Sequence, residues 1–205
     1  MTYRKVEEFL DNLRSEAPAP GGGSAASVSA ALAASLAAMV CRLTLKNKEY
    51  AHHQIEKVLE KAEEMRVNFL RLARRDEDAF NQVVAAFKLP KGSFEEQQKR
   101  EKSIQEAFRQ AALAPFETAR LSVELLELLE QHKEEINKNA ITDWGVAAHL
   151  AHAALEGALL NVKINLQSLD EVSFVNDFKE KIRALLTTGE KLYQSVKQTL
   201  TSHGL

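Results

Sequence analysis

The chain has 205 residues, 45% of them hydrophobic, with 27 Lys and Arg set against 29 Asp and Glu. That length supports one domain with a sizeable core and would cramp a second, so residues 1–205 read as a single unit. Charges that nearly cancel exclude the basic footprint of a nucleic-acid binder.

In chain order, MTYRKVEEFLDN holds no apolar stretch of signal-peptide length. Val6, Phe9, Leu10 and Leu13 make a short helical stripe that Ala17-Pro18-Ala19-Pro20 stops. Three consecutive glycines follow, Gly21, Gly22 and Gly23, a costly run to order unless something must approach the backbone closely. Ser24 reads as the N-cap of the next helix, whose exposed N–H groups and partial positive charge suit a carboxylate or another polar part of a ligand. The spacing and lysine of a nucleotide P-loop are absent.

From Ala25 to Leu45 the chain is long and mostly uncharged, yet it is built of Ala and Ser, with Ser27, Ser29 and Ser35 interrupting it. This predicts a central helix inside a protein jacket rather than a membrane span. Its lone cysteine, Cys41, has no internal disulfide partner, which suits a reducing, cytoplasmic setting.

A third helix is predicted from about Tyr50 to Phe87, stopped by Leu89-Pro90-Lys91-Gly92. A fourth starts near Ser93, with Glu96 completing a capping box, and reaches about Gln131, with Pro115 expected to kink it. The fifth runs from near Thr142 to about Leu169, and the last from about Val172 to Leu200 with Gly189 as a weak point. No stretch alternates as a strand would. The fold class is all-α, an up-and-down bundle of about five to six helices. Its apolar faces exceed what one bundle of this size covers, so a helical homodimer is expected.

Polar residues that interrupt apolar seams are the candidate functional groups. In the third helix a seam runs through Val58, Ala62, Met65, Phe69, Leu72, Asp76, Ala79, Val83 and Ala86, and only Asp76 is polar. An inward carboxylate is either paired to another helix for structure or held with a raised pKa, the condition for general acid/base work near neutrality. Asp78 falls on the face that carries Arg71, Arg74 and Arg75 and needs no special purpose. In the fifth helix Asp143, Ala147, Leu150, Ala154, Gly157 and Asn161 form another seam, with Asn165 one turn further on. Asp143 can cap its helix, and the two asparagines can specify register. Two seams broken by polar groups together point to a small-molecule site built on bundle helices. His149, His152 and Glu156 share a helix face, but no second ligand pair of comparable spacing accompanies them, and no metal is expected. Trp144 reads as a core or helix-start anchor.

The run Pro18-Ala19-Pro20-Gly21-Gly22-Gly23-Ser24-Ala25-Ala26 is followed by Asp76-x-x-Ala79-Phe80 with Leu89-Pro90-Lys91, then Asn137-x-Asn139-x-x-Thr142-Asp143, then Gly157-Ala158-x-x-Asn161-Val162-x-Ile164-Asn165-Leu166. Together, and in this order, they resemble the cyclodeaminase/cyclohydrolase family of folate one-carbon enzymes. The resemblance implies a dimeric all-helical bundle with Asp76 as the catalytic aspartate. Gly21, Gly22, Gly23, Ser24, Asp143, Asn161 and Asn165 fall on motif positions that line the folate cleft, and Lys48 on one available to the glutamate carboxylates of a folate, polyglutamylated forms included. Ile136 and Thr142 depart from the usual Gly and Ser. The substrate implied is a tetrahydrofolate derivative, with no metal, no redox cofactor, no nucleic acid and no membrane. Ring closure of 5-formimidoyltetrahydrofolate with release of ammonia stands first. Cyclohydrolase action on the methenyl bridge stands second, and a non-catalytic helical dimer third.

Overall fold

A computed structural model describes residues 6–47 and 52–204. Its helices are α1 (Val6–Leu13), α2 (Gly22–Leu45), α3 (His52–Phe87), α4 (Phe94–Gln131), α5 (Ile141–Leu166) and α6 (Val172–Ser202), with a 3₁₀ turn, Lys138–Ala140, leading into α5. No strand occurs among the described residues.

Helices α2 to α5 form a closed ring of four. Each packs against the next in sequence, and α5 returns to α2. The neighbours run antiparallel: Ser24 on α2 meets Asp76 on α3 while Arg42 meets Glu63, and Asn165 on α5 meets Ala111 on α4 while Trp144 meets Leu129. Helix α6 lies outside the ring on α4 and α5. The small side chains of α2 let its neighbours close in, and Ala30, Ala33, Ala34 and Ala37 are fully buried. Although α2 is long and apolar enough to cross a membrane, much of it is enclosed by the bundle. Burial pushes the Cys41 thiol up to about 12, so it stays protonated and inert.

The capping box at Ser93 and Glu96 is made in both directions. Helix α4 continues through Pro115. Gly189 is a close-packing point rather than a weak one: a Cβ there would lie 2.2 Å from Leu155 Cδ2, so its absence lets α6 settle on α5. Ile136, which departs from the family's usual glycine, is a fully buried core side chain.

The apolar core is continuous from Ile55 to Leu72 along α3, and a second, smaller cluster of Ala79, Val83, Ala86, Ala107 and Ala111 closes the α3–α4 end of the bundle. Asp76 stands between the two, where the α3 seam was expected to break.

Candidate active site

The start of α2 faces the middle of α3. Gly21 occupies the N-cap position and offers no side-chain cap, so the helix opens at Gly22, and Gly22 and Gly23 belong to its first turn. This corrects the expected cap at Ser24. The Ser24 side chain is fully buried and turns across to α3, where its Oγ donates to Asp76 Oδ2 at 3.0 Å. The Ser24 backbone N–H also bonds the same carboxylate.

The glycines serve close approach and not a left-handed backbone, since among the described residues only Gly204 has positive φ. A Cβ on Gly23 would lie 2.2 Å from Asp76 Oδ1. A Cβ on Gly22 would lie 3.2 Å from Asn161 Nδ2, and one on Gly21 would meet nothing within 4 Å. Gly23 is therefore what allows the carboxylate to sit against the helix start.

Burial raises the Asp76 pKa above the ordinary carboxylate range, and the two hydrogen bonds from Ser24 oppose that shift without cancelling it. The neighbouring Glu77 is also buried and also raised by desolvation, and its Oε1 has no hydrogen-bond partner. Asp78 is exposed, as its arginine-bearing face required.

Asn161 Nδ2 donates to Gly157 O on its own helix at 2.8 Å, and Asn165 Nδ2 donates to Ala111 O on α4 at 2.9 Å. Because each partner is a carbonyl, the amide nitrogen must face it, which leaves each Oδ1 as a free acceptor. Pro18, Ala19, the three glycines, Asp76, Phe80, Ala111, Asn161, Ile164 and Asn165 enclose a cleft of about 140 Å³. It presents one tunable carboxyl group, two amide oxygens and the N–H groups of Gly22 and Gly23 in the first α2 turn, between the side chains of Phe80 and Ile164. Such a set can hold a polar heterocycle and pass a proton between two of its atoms, or between one of them and water.

The family model for formiminotransferase-cyclodeaminase matches residues 5–184. The chain belongs to that family. A methenyltetrahydrofolate cyclohydrolase from Methylorubrum extorquens is 39% identical over 198 residues, 94% of this chain and 95% of that one. The formimidoyltransferase-cyclodeaminase of Rattus norvegicus is 31% identical over 88% of this chain, which spans 34% of that longer protein. The crystal structure of formiminotetrahydrofolate cyclodeaminase from Thermotoga maritima has a TM-score of 0.88 at 33% identity, covering 98% of both chains.

Of the residues expected to serve this family's site, Gly21, Gly22, Gly23, Ser24, Asp76, Asn161 and Asn165 come together. Asp143 does not join them within one chain. It is half-buried in the first turn of α5, about 27 Å along the helix from Asn161. Lys48 lies outside the described residues. His149 and His152 contact α6: His149 Nδ1 bonds the Tyr193 hydroxyl at 2.6 Å, and His152 Nε2 meets Glu190 at 2.9 Å. Trp144 is a buried anchor whose Nε1 donates to Leu129 O. Sequence reasoning did not single out Phe80 and Ile164 as cleft walls. Their signal was present, since Phe80 lies one turn after Asp76 and Ile164 adjoins Asn165.

Proposed function

We propose that this enzyme acts on the one-carbon bridge between N5 and N10 of tetrahydrofolate, with Asp76 as the group that accepts and returns the proton. The observation that carries this reading is the Asp76 carboxyl itself: it is the polar break in an apolar seam, its pKa is raised by burial, and Ser24 and Gly23 hold it against the start of α2. A general acid/base is most effective when its pKa moves toward the working pH.

Between the two reactions, the reading adopted is cyclohydrolase action on 5,10-methenyltetrahydrofolate. Its support is the 39% identical relative of matching length that bears this name. Water adds to the bridge carbon, and Asp76 takes one of its protons to leave a neutral carbinolamine. The carbon–N5 bond then breaks as Asp76 returns that proton to N5. The hydroxyl proton passes to solvent, and the carbon remains on N10 as a formyl group. The free Oδ1 atoms of Asn161 and Asn165 accept from N–H groups of the fused ring, and the first-turn N–H groups of α2 face the oxygen that develops charge.

Cyclodeaminase action is the second reading, favoured by the similarity to the Thermotoga maritima structure. There N10 attacks the carbon of the protonated formimidoyl group, Asp76 takes the N10 proton and returns it to the resulting amino group, and that group leaves as ammonia from the cationic methenyl product. One assay separates them. Purified protein is offered 5,10-methenyl- and 5-formimidoyltetrahydrofolate while the methenyl chromophore is followed. Enzyme-dependent loss of the chromophore supports the cyclohydrolase, and its appearance supports the cyclodeaminase. Spontaneous rates with both substrates would overturn the folate reading in favour of a binding module. The substrate site and the chain's assembly are taken to be linked, with a homodimer as the working form.

A further inference from the structure

Pro115 lies buried in the interior of α4, and the helix does not stop for it. A proline there has no N–H to give the carbonyl four residues earlier, and its ring pushes that carbonyl away from the helix axis. The carbonyl is that of Ala111, which is itself buried and lines the cleft. A buried carbonyl deprived of its helical partner needs another donor. The structure supplies one from a different helix, Asn165 Nδ2, at 2.9 Å.

We propose that Pro115 is a positioning residue for the site: by withholding the helical N–H it reserves the Ala111 carbonyl for Asn165, and so fixes the Asn165 amide with Oδ1 free to accept from an N–H of the bound heterocycle. A regular residue at this position would draw the carbonyl back along the α4 axis and make it share its acceptor capacity. The Asn165 amide would then lose its anchor and its defined orientation. Identifying the heterocycle as a folate rests on the reading under Proposed function, whereas the Pro115–Ala111–Asn165 relay does not.

The test is Pro115→Ala, alone and combined with Asn165→Ala, with two independent readouts. The first is hydrogen exchange of the Asn165 side-chain amide by NMR without ligand. Exchange is expected to accelerate by about tenfold or more in Pro115→Ala, with a melting temperature equal to or above the parent's, because a helix-interior proline has been removed. The second is steady-state kinetics with the folate substrate. KM is expected to rise by roughly three- to tenfold with kcat nearly unchanged, and the double variant should match Asn165→Ala alone.

Unchanged amide exchange in Pro115→Ala would overturn the proposal. So would KM effects that multiply in the double variant. A Pro115→Ala protein that melts lower or fails to fold would also overturn it, since the proline would then be serving the fold. If the parent turns over neither folate, the functional reading fails while the exchange measurement still decides the relay.

Discussion

At the scale of single residues, the difference between Asp76 and Asp78 is one of environment. Asp76→Asn keeps the volume and the hydrogen bond to Ser24 but cannot exchange a proton at neutral pH. Turnover is expected to fall by roughly two to four orders of magnitude with KM little changed, whereas Asp78→Asn, on an exposed face, should stay within a few-fold of the parent. The pKa direction gives a second check. Because the folded-state pKa of Asp76 is raised, protonation favours the fold, and that contribution is lost as pH rises through the shifted value. Asp76→Asn should therefore be more stable than the parent in denaturant melts at neutral pH. The gap should close as pH falls below the ordinary aspartate value of 3.8. If Asp76 must ionise to accept the proton, the acid limb of kcat/KM lies above that ordinary value. Ser24→Ala removes a donor that lowers the pKa and should move the limb higher still. A limb unmoved by Ser24→Ala would separate it from Asp76.

At the scale of elements, the site is the contact between the first turn of α2 and the middle of α3. Gly23→Ala pushes a methyl group into Asp76 Oδ1 and forces the carboxylate to move, while Gly21→Ala meets open space. A displacement of about 1 Å at a reacting group can cost about a hundredfold in rate. Gly23→Ala is expected to lose activity on that order, and Gly21→Ala to retain it within a few-fold. Parallel losses in both variants would mean that the run acts only as a turn. The helices and the polar break at Asp76 were legible in the sequence because burial imposes a 3.6-residue period, and one charged residue in it stands out. The glycine run was legible as a place of close approach, but not that two of its members open the helix. Nor could Ser24 be told from a cap, because the same hydroxyl serves either role and only the position of α3 decides. Spacing placed Asp143 and Asn161 on one seam, yet a seam says nothing of which end meets which neighbour. The link from Pro115 through Ala111 to Asn165 was hidden for the same reason, since a proline shows which carbonyl loses its partner but not which helix supplies the replacement.

At the scale of the whole molecule, α2 and α5 lie side by side and leave a shared apolar face uncovered. Leu32 on α2 is 54% exposed, and Leu160 and Ile164 on α5 are 64% and 59% exposed, with Met39, Leu43 and Val146 continuing the face. Ile164 also walls the cleft, whose 140 Å³ is well short of the roughly 300–1,000 Å³ that usually encloses a ligand of folate size. A second copy on this face would cover apolar surface and complete the open side of the cleft at once. The protein is therefore expected to sediment as a homodimer at micromolar concentration, and Leu160→Glu to shift it toward monomer. A twofold axis crossing α5 at right angles, midway along the face, would reverse the second helix and carry the partner's Asp143 toward the first copy's cleft, giving a role to a motif residue that one chain leaves a helix-length away. Such a shared site has a specific signature. Asp76→Asn and Asp143→Asn proteins, each nearly inactive alone, should regain up to about a quarter of parental activity when mixed and allowed to exchange subunits, because half of the dimers are then mixed and each holds one intact site. A monomer by sedimentation would remove the premise. Exchanging dimers that remain as inactive as their parents would show that Asp143 serves the chain that carries it.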